Sequence, residues 1–224
     1  MSNMALWEAV EKTDPGQTKP ITGKPYNGTS PKPYYLIRKA TETFGPCGIG
    51  WGFSIIGERV EDGAQGDKVH IAHVRVWYFW DGKRGEVDHV GQTMFAGKRK
   101  DGKTYTDEDA PKKSVTDALV EALSMIGFAG DIFIGRYDDS KYVSELRREI
   151  EQSAFDDIAD AYLSKAKADI HCFATPGELR EWWEKSTGDR ERAGVVKGTT
   201  PYAELWALFL ETGKRLAGNQ QAAA

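Results

Sequence analysis

The chain has 224 residues, 40% of them hydrophobic and 29% charged, which is enough to bury a sizeable core. A wholly disordered polypeptide is excluded, and one domain with appendages is expected. Thirty Lys and Arg against 34 Asp and Glu give a formal net charge of −4, so affinity for phosphate has to come from local clusters rather than a global field.

Residues 5–12 read as a short helix with Trp7 on its buried side. The stretch after it, up to residue 33, holds five of the nine prolines and suits neither a central strand nor a long helix. It is expected to be an extended arm along a neighbouring subunit, or else a floppy leader. Residues 34–44 form a helix with Leu36, Ile37, Ala40 and Phe44 inward, stopped by Gly45. Gly45, Gly48, Gly50 and Gly52 follow a helix and lead into a strand, the reverse of a dinucleotide fingerprint, so they read as a tight turn. Strands are expected at 51–60, 69–80 and 86–96, with turn chemistry at 81–85. On the middle strand Val74, Val76, Tyr78 and Trp80 share one face. Ile71, His73, Arg75, Trp77 and Phe79 share the other, which mixes a base with aromatics.

Residues 106–135 are read as one amphipathic helix. Val115, Ala118, Leu119, Ala122, Leu123 and Ile126 form an apolar stripe at helical spacing, and the acidic run Asp107, Glu108, Asp109 suits the positive helix N-terminus. The fold class expected is α+β: an antiparallel three- to four-stranded sheet packed by a long amphipathic helix, with a C-terminal helical appendage. Ser140 starts a further helix, continuing or breaking near Ser153. Thr175 to Glu178 fit a capping box with Pro176 at the first helical position, and residues 201–216 form a last helix. The domain boundaries expected are 1–33 for the arm, 34–167 for the core and 168–224 for the appendage.

The densest positive cluster is GKRKDGK, residues 97–103, with Lys98, Arg99, Lys100 and Lys103 against Asp101. With Lys112 and Lys113 at the helix start, and Lys83 and Arg84 at the hairpin tip, it would form one basic track beside Trp77 and Arg75. Positive charge next to aromatic surface is what backbone phosphates and stacked bases require. On composition alone a solvated lysine loop is the simpler reading. His70, His73, His89 and His171 show no zinc spacing, although His73 and His89 are candidates to face one another across the hairpin. Asp138, Asp139, Asp156, Asp157 and Asp160 sit on expected solvent faces rather than converging as a metal-dependent nuclease needs. No Ser-His-Asp or Cys-His arrangement is visible, so the chain is not expected to be an enzyme, and no cofactor or metal is implied. Cys47 and Cys172 lie far apart without a CxxC. Nothing near the N-terminus looks like a signal peptide or membrane span, so a reduced, cytoplasmic protein is expected.

KKSVTDALVEALSMIG, residues 112–127, together with ATETFGPCGIGWG, residues 40–52, resembles the core signature of phage single-strand DNA annealing proteins. These are the Sak, Erf and Red-beta types grouped with the eukaryotic Rad fifty-two recombination family. In that family a helix ending in FG and a Gly-Trp precede a strand hairpin, and a helix beginning K-x-x-VTD follows it. The likeness spans residues 33–143. It implies ATP-independent annealing of complementary single strands by a homo-oligomer, a ring or helical filament, acting in recombination and repair. It also implies a phage exonuclease or host single-strand-binding protein as partner, and the bacterial host cytoplasm as location. Lys112, preceding VTD, and the basic connection at Lys98 and Lys100 match the family pattern. The basic residues that line its DNA groove fall here on Val120, Glu121 and Ser124, the aromatic after FG on Pro46, and the basic residue before the first helix motif on Tyr35. Two other classes stay open: a protein-interaction module recruiting replication or nuclease partners through its C-terminal tryptophans, and a divalent-metal nuclease.

Overall fold

The computed structural model describes residues 2–22, 25, 27–99 and 101–222. The chain is α+β and divides into two compact units, Met1–Leu146 and Arg147–Ala224, with the boundary inside one long helix. The helix starting at Ser140 runs unbroken to Cys172, so it crosses both this division and the 167/168 boundary expected from sequence.

The first unit is built on a four-stranded antiparallel sheet, in the order β3 (Trp51–Asp62), β4 (Lys68–Trp80), β5 (Lys83–Lys98) and β6 (Thr104–Thr106). β4 and β5 are joined by the two-residue turn Asp81-Gly82, at φ 52° and 70°, the geometry that matches the twist of a hairpin. Pairing starts at Trp80 opposite Lys83, so Lys83 and Arg84 belong to the strand and not to the turn. β6, absent from the sequence reading, pairs only with residues 96–98 of β5. The register pairs His73 with Val90 and Val74 with His89, which puts His73 and His89 on opposite faces. No group of three potential metal-ligating side chains occurs among the described residues.

Helix α3 (Ala110–Ser124) follows α1 (Ala5–Val10) and α2 (Pro33–Phe44) in the chain and lies across β4 and β5. Ala118, Leu119, Ala122 and Leu123 are buried against Val74 and Val76, with Tyr78, Trp80 and Val115 at the margin. Each leucine so placed contributes about 1.5–3 kcal/mol. α3 stops at Ser124 rather than continuing to residue 135. Gly127 lies at φ 105°, and the chain turns there before the short α4 (Gly130–Phe133). A side chain at Gly127 would also meet Trp7 Cα at 2.8 Å, so α1 packs closely on the turn that follows the helix.

The N-terminal stretch packs on its own unit. Val10 and Thr13 are fully buried, and Lys39 of α2 donates to the carbonyls of Val10 (2.7 Å) and Lys12 (2.5 Å). Thr13 is held through both its backbone N–H and its hydroxyl by the Asp131 carboxylate, and the Tyr137 hydroxyl donates to the Thr13 carbonyl. The proline-rich part pairs with itself as β1 (Thr18–Pro20) and β2 (Thr29–Pro31). Burial, and after it the charge of Asp131, raises the Tyr137 hydroxyl above its ordinary value and pushes Tyr142 up to about 12. These phenols stay protonated while those of an unfolded chain ionise, so their stabilisation is complete below about pH 10 and fades as pH rises towards 12 and beyond. Alkaline unfolding followed by circular dichroism is expected to show stability falling from pH 10 upward, and Tyr142→Phe is expected to flatten part of that fall.

Beyond Trp51 and Gly52, which are buried, the outer strand β3 is uncovered. Every side chain from Phe53 to Asp62 is exposed, including Phe53, Ile55, Ile56 and Val60, because α3 reaches only β4 and β5.

The second unit is helical, with α5 (Ser140–Cys172) entering it and α6 (Pro176–Lys185), α7 (Thr187–Arg192) and α8 (Thr200–Ala222) completing it. Thr175 and Glu178 form both halves of the capping box. Ala159, Leu163, Ala166 and Ile170 of α5 pack with Leu179, Val195, Leu205 and Leu216. Arg190 is buried with its guanidinium 4.1 Å from the Trp183 ring centre, donating to the Trp183 carbonyl and the Ser186 hydroxyl at 2.6 Å each. No described helix is long and apolar enough to cross a membrane.

Candidate nucleic-acid interface

The structure splits the expected cationic track, setting the hairpin-tip pair apart from the β5–β6 hairpin and the start of α3, which adjoin through Tyr105. Lys83 and Arg84 stand at one end of β5 and Lys98 at the other, which is roughly 50 Å along the strand at ~3.3 Å per residue. Lys100 lies outside the described residues. Trp77 and Arg75 occupy the face of the sheet opposite α3, so they cannot line a surface with Lys112 and Lys113.

The first site is the open face near the hairpin tip. Trp77 lies flat over Gly52, where an added Cβ would come within 2.8 Å of the indole. Arg84 sits 5.6 Å from the Trp77 ring centre, and Phe79 meets that ring edge-on at 6.1 Å. The aromatic platform anticipated from sequence therefore exists, but its charges are internally balanced. Arg75 donates to both oxygens of Asp88 at 2.7 Å, and Arg84 pairs with Glu86 at 2.5 Å. The Arg75 hydrogen bond holds the Asp88 carboxyl below its usual range. The second site is the β5–β6 hairpin. Arg99 stacks 5.8 Å from the Tyr105 ring centre and its N–H donates to the Lys103 carbonyl, while Lys103 N–H donates to Asp101.

The third site is a groove of about 510 Å³ along the outer side of α3. Lys112, Lys113, Thr116 and Val120 of α3 form one wall, and Lys19, Ser30 and Pro31 of the β1–β2 hairpin form the other. Gln92 and Thr93 of β5 close one end. Three lysines thus line one concavity together with Asp109 and Asp117, and the hydroxyls of Ser30 and Thr116 donate to the backbone carbonyls of Pro31 and Lys112. Lys112 touches Asp109 at 3.2 Å and Lys113 touches Asp107 at 2.6 Å. Such exposed pairs are worth at most about 1 kcal/mol and yield readily to a phosphate. The Lys113 hydrogen bond lowers the Asp107 carboxyl and in turn raises Lys113, so both stay charged across the neutral range. Neither the protein-family models nor the curated proteins contain a match to the chain.

Negative charge is also present in the groove. Asp117 accepts from the Gln92 N–H at 3.1 Å, and burial followed by Asp117's charge raises the Glu121 carboxyl. Asp109 and Asp117 line the groove with the three lysines, so the lining carries a net charge of about +1. Lys19 was not singled out from sequence, since one lysine between Thr18 and Pro20 carries no signal of its own. Only the pairing of Thr18–Pro20 with Thr29–Pro31 brings it opposite α3.

Proposed function

We propose that the protein binds single-stranded DNA and anneals complementary strands without ATP. The observation that carries this reading is the groove that Lys19, Lys112 and Lys113 line with Ser30 and Thr116, an arrangement suited to a sugar-phosphate backbone. The mechanism is physical: phosphates are neutralised, the backbone is held extended with its bases free, and pairing with a second strand supplies the free energy. No bond is broken. The Trp77 and Phe79 face offers stacking surface away from the groove, and the β5–β6 hairpin adds a secondary cationic contact. Three phosphate contacts per protomer bind weakly, so assembly of several copies on one strand is part of the proposal. The uncovered β3, an unshielded strand edge with four apolar side chains, supports such assembly.

A strand-annealing assay with complementary oligonucleotides, free of ATP and divalent metal, tests the reading. Accelerated duplex formation is expected. Binding to one oligonucleotide should weaken with salt at a slope of about −0.7 per contacted phosphate, near −2 for each groove occupied. A flat salt response, or no acceleration, would overturn it.

The second reading is recruitment through α8, where Tyr202, Trp206 and Phe209 stack at interplanar angles of 14–15° and Trp206 remains 37% exposed. Under that reading Trp206→Ser abolishes partner binding and leaves annealing unchanged.

A further inference from the structure

We propose that the cleft between α5 and α6 binds an extended peptide of a partner protein, one that carries an arginine and, two residues further on, a bulky apolar side chain. Every residue lining the cleft belongs to the second unit. Tyr162, Lys165, Asp169 and Phe173 recur at three- and four-residue steps on α5 and so share one of its faces, beside the buried stripe of Leu163, Ala166 and Ile170. Glu178, Glu181, Trp182 and Lys185 share a face of α6 by the same spacing. Between these faces lie two hollows of about 430 and 470 Å³, and both are bordered by Trp182, Lys165 and Asp169, so they adjoin across the indole. Each has the size of a ligand pocket.

The charges and rings identify the occupant. The hollow beside Phe173 is lined by four carboxylates, Asp169, Glu178, Glu181 and Asp189, against the two lysines Lys165 and Lys185. Phe173 and Trp182, with ring centres 5.8 Å apart, add aromatic surface to it. A guanidinium suits both, because it stacks on rings and forks onto carboxylates. The same unit already makes that contact internally, with Arg190 at 4.1 Å from the Trp183 ring centre. In the other hollow the charges balance, and Ile158, Tyr162, Ala166 and Ala193 supply apolar surface for a side chain such as leucine. Lys185 is turned onto Glu181 and Arg192 onto Asp189. Lys165 and Asp169, which border both hollows, have no partner among the described residues, so Asp169 is left to receive the arginine and Lys165 to donate to a peptide carbonyl. Alternate side chains of an extended peptide stand about 6.6 Å apart, close to the ~6 Å rise from Lys165 to Asp169 along the helix. This binding does not depend on the DNA reading.

Two fluorescein-labelled, amidated octapeptides, GSGRALGS and GSGEALGS, titrated with the full-length protein and followed by anisotropy, test it. The arginine peptide is expected to bind saturably and at least about 10-fold more tightly than the glutamate peptide, and exchanging its leucine for serine should also cost about 10-fold. Asp169→Asn is expected to shrink the preference for arginine to less than about threefold, and Asp169→Lys to invert it. Urea unfolding of both variants should match the wild type, since Asp169 holds no partner that folding requires. Failure of the arginine peptide to saturate, equal binding of the two peptides, or an Asp169→Lys protein that still prefers arginine would overturn the proposal. The last of these results would assign the binding to the net charge of −4 instead of the cleft.

Discussion

Asp131→Ala is expected to destabilise the N-terminal unit by about 3–5 kcal/mol, the cost of leaving the buried Thr13 N–H and hydroxyl without their acceptor. The carboxylate is fully buried and accepts four hydrogen bonds: from Thr13 N–H (2.8 Å), the Thr13 hydroxyl (2.8 Å), the Tyr142 hydroxyl (3.0 Å) and the Ile132 N–H (2.9 Å). Alanine would strand the buried Thr13 N–H and hydroxyl, whereas the Ile132 N–H keeps the Ala129 carbonyl at 3.0 Å, and stranding a buried donor costs more than a net hydrogen bond contributes. At roughly 2–4 °C per kcal/mol for a protein of this size, thermal unfolding should begin about 10 °C or more below the wild type. Asp131→Asn keeps one acceptor oxygen but turns an amide donor towards the others, so an intermediate loss is expected. Thr13→Val removes only the hydroxyl and should cost about 1–2 kcal/mol. Urea denaturation monitored by circular dichroism gives all three values. A loss below about 1 kcal/mol for Asp131→Ala would show that the network contributes little net stability.

Reversal of the groove charges, K19E/K112E/K113E, is expected to lower single-strand affinity at least about 100-fold at low salt, taking ~1 kcal/mol for each lost ion contact. The salt slope should fall by about 2, since three contacts at ~0.7 each are removed. The three lysines are solvent-facing, and the ion pairs of Lys112 and Lys113 are exposed ones, so the unfolding midpoint should barely move. The parallel variant K98E/R99E/K103E reports on the β5–β6 hairpin alone and is expected to weaken binding less than about 10-fold, because the hollow of about 280 Å³ beside it has Lys98 as its one cation among the described lining residues. Fluorescence anisotropy with a labelled oligonucleotide, repeated across a salt series, distinguishes the two. Equal losses from both would move the principal contact to the hairpin, and no loss from K19E/K112E/K113E would remove the groove from the binding surface.

The parts of the fold that could be read from sequence were those fixed by local periodicity. Val74, Val76 and Tyr78 alternate at two-residue steps, and Ala118, Leu119, Ala122 and Leu123 recur at helical ones, so the sheet, its covering helix and their shared core followed directly. The capping box at Thr175 was equally local. What periodicity does not contain is the long-range pairing that decides where a run stops or what it meets. The turn after α3 at Gly127 is packed against Trp7, more than a hundred residues earlier. β6 owes its existence to three residues finding the end of β5.

The candidate site divided along the same line. The aromatic platform at Trp77 was legible because alternation alone assigns a face. The unity of the basic track was not, because it required Lys83 and Lys98 to be neighbours, and one uninterrupted 16-residue strand holds them at opposite ends. Nor could sequence show that Glu86 and Asp88 would occupy the arginines beside Trp77, since that is a property of the β4–β5 register.

Thr13 and Val10 set a limit on how far the chain can be trimmed. A minimal fragment cut at the start of α2, where the recognisable motif begins, would lose Val10 from the main core and leave the Asp131 carboxylate without two of its donors. The shortest fragment with an intact core has to begin ahead of Leu6, some thirty residues before the motif.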